Sequence, residues 1–188
     1  ATRWLDHAQL RRLYWLGECL EAFYNNRFFR NTLNYIMKKG DEPFGFFAQL
    51  LTVCQTAGFF SLAKTQELMT RMLVELARTR EDGELFCELL RFDWLVSGQR
   101  IMPPYLIAES SKEIRDYLWH HLPESLPPQY TRLTKNEFFK RGIFARFSGQ
   151  LLQAVGLAES KGQSSQSGYV CFLPEQECVA GHQRQQHT

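Results

Sequence analysis

The sequence lacks any apolar run near the roughly eighteen residues that a membrane span needs. It also lacks an excess of either charge. Twenty-two lysines and arginines face 20 aspartates and glutamates, a net charge of +2. So weak a field steers the chain neither to nucleic acid nor to acidic lipid. Cysteine is sparse. Cys19, Cys54, Cys87, Cys171 and Cys178 form an odd, scattered set that makes no disulfide framework and reads as free thiols in a reducing compartment. Absent too are a secretory h-region near Ala1, a glycine-rich phosphate loop, a nucleophile elbow and a His-Glu-x-x-His motif. No Cys-x3-Cys-x2-Cys triplet is present to hold an iron–sulfur cluster. These absences predict a soluble cytoplasmic chain, excised from a longer protein, with no catalytic, cofactor-binding or metal-binding residue of its own and no nucleic-acid or membrane partner.

What the sequence has in quantity is apolar and aromatic surface. Of 188 residues 44% are hydrophobic and 15 are Phe, enough for a substantial core. Steps of three and four predict the first helix over about Trp4–Tyr24, with Leu10, Leu13, Leu16, Leu20 and Phe23 on one face. The second covers about Arg27–Lys39, where Lys38 and Lys39 oppose the macrodipole and Gly40 supplies a left-handed cap. The third starts at Asp41-Glu42-Pro43 and aligns Phe44, Phe47, Leu51 and Cys54. Ser61 is the expected N-cap of a fourth helix reaching about Arg80, and a fifth spans about Glu84–Val96. A short amphipathic helix with Ile114, Leu118 and His121 on one face follows, and Thr134 caps one more, to about Gly142.

From Ile143 the pattern changes. "IFARFSGQLL" and "GYVCFLPEQECVA" suit strands separated by the polar loop "ESKGQSSQSG". The expected fold class is mainly α, a multi-helix bundle or array with a small C-terminal antiparallel β element. The helical part occupies residues 1–142, and residues 143–188 form the β element and polar tail.

Few constellations carry chemistry. Cys171, Cys178, His182 and His187 are spaced too widely at the cysteines for an ordinary zinc site. His120-His121 ends a helix, where a cation suits the dipole. Arg11-Arg12 and Lys140-Arg141 read as solvated helix faces. The exception is "CELLRFDWL", Cys87–Leu95, which sets Arg91 and Asp93 inside an apolar and aromatic run. At 100° per residue the two charges project about 200° apart and cannot pair with each other. At least one therefore needs a partner elsewhere in the fold, because a buried unpaired charge costs several kcal/mol. Arg91 and Asp93 are the candidate structural or docking polar residues.

"FYNNRFFRNTLNYI", "EPFGFFAQL", "ELLRFDWL" and "MPPYL" occur in this order within the first 106 residues. Together they resemble the helical C-terminal domain of cobalamin-binding radical SAM proteins. These include bacterial iron–sulfur oxidoreductases and anaerobic magnesium-protoporphyrin monomethyl ester cyclases. The resemblance implies a non-catalytic accessory domain that covers or shapes an active site, or docks partners. The catalytic domains would lie upstream in the same polypeptide and use a 4Fe-4S cluster, S-adenosylmethionine and cobalamin. It transfers no catalytic residue to this chain. The alternative expectation is a stand-alone helical protein-interaction module.

Overall fold

The computed structural model describes residues 5–107, 111–121, 130, 132–157 and 167–172. The chain forms two compact units, residues 1–93 and 94–188, and the division falls within one helix. As the sequence predicts, the architecture is mainly helical with a two-stranded antiparallel sheet late in the chain.

In the first unit, α1 (His7–Leu20) opens with a capping box in which Asp6 and Gln9 satisfy each other's backbone N–H. It runs into a π-helical turn, Glu21–Asn25. The predicted face is buried only in part: Phe23 is fully buried and Leu10 and Leu16 are half-buried, but Leu13 and Leu20 remain 48% and 37% exposed. Cys19 and Ala22 are buried with Phe23, while Trp15 packs on Phe60 with ring centroids 4.6 Å apart. Small Cys19 and Ala22 let α1 approach α3 (Pro43–Thr56), and the thiols of Cys19 and Cys54 meet there. Their hydrogen bond, with burial, pushes Cys54 far above an ordinary thiol, and the same hydrogen bond draws Cys19 down against its own burial.

The second helix, α2 (Arg30–Lys39), ends at Gly40 with φ +87°, the left-handed cap expected there. α3 buries Phe47, Leu51 and Cys54 as predicted, and Phe46 and Leu50 with them. Phe44, in its first turn, is 52% exposed, because the core begins one turn further in. Ser61 does not cap the fourth helix. It closes a 3-10 turn, Phe59–Ser61, and α4 (Gln66–Ala77) starts after Thr65, whose hydroxyl accepts from the Leu68 N–H at 3.2 Å. Phe59 is fully buried against Phe23, and the Ser61 hydroxyl bonds back to the Gly58 carbonyl at 2.9 Å within the turn rather than to a helix N–H. α5 (Gly83–Val96) begins so close to the end of α4 that a Cβ at Gly83 would lie 2.4 Å from the Ala77 carbonyl oxygen. Its Phe86 meets Phe46 of α3 at 6.3 Å.

In the second unit, Trp94 donates its indole N–H to the Ile101 carbonyl at 3.0 Å, and a 3-10 turn, Pro104–Leu106, follows. α6 (Ser111–His120) buries Ile114 and Leu118. α7 (Lys135–Arg141) starts with a capping box between Thr134 and Glu137. Phe138 and Phe139 of α7 join Ile114, Leu118, Tyr130 and Cys171 in one apolar cluster. Strands β1 (Ile143–Phe147) and β2 (Gly168–Phe172) pair antiparallel with Ile143 opposite Phe172. The second half of "IFARFSGQLL" is not strand. Ser148 accepts from the Leu151 N–H at 3.2 Å and caps α8 (Gly149–Ala154), which buries Leu151 and Leu152. Cys178, His182, His187, the segment 122–129 and residues 159–166 of "ESKGQSSQSG" lie outside the described residues.

Candidate functional site

Three polar constellations stand out from this apolar frame. The first contains the two charges of "CELLRFDWL". Asp93 is 2% exposed, and its carboxylate accepts four hydrogen bonds. One oxygen takes the Asn31 backbone N–H at 3.1 Å and the Asn31 amide at 2.7 Å. The other takes the Thr32 N–H at 2.9 Å and the Thr32 hydroxyl at 2.7 Å. Asn31 and Thr32 are the second and third residues of α2, whose own N-cap, Phe29, provides no side-chain acceptor. Asp93 thus caps a helix sixty residues earlier, with its charge at the positive end of the dipole. Burial pushes its carboxyl above the usual carboxylate range, and the bonds from Thr32 and Asn31 pull against that shift. Arg91 is also buried, and its guanidinium approaches Glu88 at 4.0 Å.

The second constellation centres on Asp82, in the turn between α4 and α5. Its carboxylate accepts from Arg80 Nε at 2.7 Å, Lys39 Nζ at 2.8 Å and the Tyr35 hydroxyl at 3.0 Å. Arg80 also reaches Asp41 at 2.7 Å and lies over the Phe86 ring at 5.2 Å. Burial works to raise the Asp82 pKa, but Arg80, Lys39 and Tyr35 outweigh it and hold the carboxyl well below its ordinary range. Lys39, read from sequence as a dipole-opposing cation, is therefore also half of an ion pair.

The third is an open groove of about 500 Å³ between α6 and α7, lined by Arg100, Lys112, Arg115, Asp116, Lys135 and Lys140, with Asn136 and Phe139. Sequence spacing signalled only Lys140, as part of a basic pair. The others come from three separate segments, and nothing in linear order brings them together. Asp116 is paired with Lys135 at 2.8 Å, which lowers its pKa.

Among the described residues no group of three or more His, Cys, Asp or Glu side chains could hold a metal ion. Cys19 and Cys54 meet in the core of the first unit, and Cys171 lies in the apolar cluster of the second. No described helix is long and apolar enough to cross a membrane. Compared with known families, residues 1–172 match the one described as protein of unknown function (DUF4080). Neither the curated proteins nor the solved structures return a match.

Proposed function

The chain belongs to the DUF4080 family, and from that premise we propose that it is a non-catalytic C-terminal accessory domain of a cobalamin-dependent radical SAM enzyme. The parent is of the magnesium-protoporphyrin monomethyl ester cyclase-like kind, and this domain covers or shapes its active site. The observation that carries the reading is the outer face of the first helix. Leu13, Gly17 and Leu20 follow one another at helical steps, and Tyr24 continues the stripe. Leu13, Leu20 and Tyr24 are 48%, 37% and 55% exposed, with Tyr14 alongside at 61%. A contiguous apolar stripe in water marks an interaction surface. The catalytic portion of the same polypeptide is the partner that fits, because a tether ahead of α1 makes docking there intramolecular.

The segments that carry the family resemblance support the same reading. Phe23, Phe29, Leu33 and Ile36, then Phe46, Phe47 and Leu50, then Leu89, Leu90 and Asp93 are all buried. They do structural work, as motif residues of an accessory domain would. The iron–sulfur cluster, S-adenosylmethionine and cobalamin would be held by the parent's own residues, and among the described residues no group of thiols fits such a cluster. The exposed stripe also suits a stand-alone helical interaction module, the rival reading. The coding sequence upstream of Ala1 separates the two. A Cys-x3-Cys-x2-Cys motif in the same reading frame supports the accessory-domain reading, and an upstream region without one overturns it.

A further inference from the structure

We propose that the groove between α6 and α7 is a binding site for a multiply charged phosphate anion, such as the oligophosphate chain of a small phosphorylated molecule. Among the described residues, five cations, Arg100, Lys112, Arg115, Lys135 and Lys140, line it against one carboxylate, Asp116, an excess of four. The whole chain carries only +2. The positive charge is therefore gathered at this place and offset elsewhere. Such concentration of one sign in a concave surface focuses the field on an incoming anion.

The cations are held in place in different ways. Arg100 donates to the Lys140 and Arg141 carbonyls at 2.6 and 3.1 Å, which ties it to the end of α7. Arg115 lies over the buried Phe139 ring, 5.9 Å from its centroid. Lys135 is braced by Asp116. Lys112 and Lys140 are exposed and form no ion pair among the described residues. The Arg115 guanidinium suits planar, bidentate recognition of phosphate oxygens, and Arg100 and the lysines add positive charge around it. The volume, about 500 Å³, is that of a small-ligand site. A nucleic-acid backbone would ask for a long basic stripe and stacking aromatics. This patch is short, and its one aromatic ring, Phe139, is buried beneath Arg115.

The test is calorimetric titration of the full chain with inorganic tripolyphosphate and, separately, with ADP and a 20-nucleotide single strand. Tripolyphosphate or ADP should bind at one site, and Lys112→Gln/Lys140→Gln should weaken that binding at least about tenfold. Tighter binding of ADP than of tripolyphosphate would identify a nucleoside phosphate, and the reverse a free phosphate chain. Both positions are exposed, so the variant should keep the wild-type circular dichroism and melting temperature. Lys38→Gln, on a different helix, should leave the affinity unchanged. Absence of binding by folded wild-type protein up to 10 mM tripolyphosphate overturns the proposal. So does a double variant with wild-type affinity, or an oligonucleotide that binds at least tenfold more tightly than either small anion.

Discussion

Asp93 is held by four neutral donors, two of them backbone N–H groups at the start of α2. Its side chain cannot be truncated without stranding those donors in the interior. Asp93→Ala should cost roughly 3–5 kcal/mol, more than most single substitutions, because the loss falls on buried polar groups left behind. Asp93→Asn should recover only part, since an amide places its NH2 against two of the donors. Thr32→Val removes one donor and should cost about 1 kcal/mol. Urea titrations of the three variants check the order. A near-neutral Asp93→Ala would mean that α2 does not need this cap. Arg91, two residues away, does different work on another side of the same helix, as the helical period requires.

At the scale of elements, α2 is fixed to the rest of its unit at both ends. Asp93 caps its first turn, while Tyr35 and Lys39 bind Asp82 from its last two turns. The second attachment is sensitive to pH. The folded pKa of Asp82 lies well below the unfolded value, so its contribution is complete above the ordinary carboxylate range, starts to fall as the pH drops below that range and is lost only at the folded pKa. Asp82→Asn should cost roughly 1–3 kcal/mol at neutral pH. The gap between wild type and variant should narrow as the pH is taken below about 4. Guanidinium midpoints at pH 7, 5 and 3 measure it, and a gap that stays constant through that range excludes the mechanism. The first helix shows the opposite case, an element whose leucines did not decide its orientation. The close approach of α1 to α3 favours the side carrying Cys19 and Ala22, and Leu13 and Leu20 are left outside.

For the whole molecule, the proposed role divides labour between this chain and the rest of its polypeptide. In that proposal the chain supplies a folded helical body and an apolar stripe, and the reactive groups would belong to the parent. Protein purified without an affinity tag should therefore contain less than about 0.1 equivalent each of iron, zinc and cobalt by elemental analysis. Stoichiometric zinc that disappears in Cys178→Ser would instead establish a metal site in the C-terminal tail and remove the premise that this chain carries no metal.

The helical class and the late antiparallel strands were legible in the sequence because they rest on local signals. Apolar residues recur at three and four, Pro43 and Gly40 mark helix ends, and strand-forming residues cluster after Ile143. The need for a distant partner at Arg91 or Asp93 was legible too, since charge in an apolar run must be satisfied wherever it lands. Tertiary structure decided the rest. It alone chose the α1 face and moved the α4 cap from Ser61 to Thr65, because competing local options differ by little and packing breaks the tie. It alone paired Asp93 with Asn31 and Thr32, joined Asp82 to α2, and drew Arg100, Lys112, Arg115, Lys135 and Lys140 into one groove. Those partners are separated by up to 62 residues, and spacing along a chain carries no signal about which distant side chains folding will bring within hydrogen-bond reach.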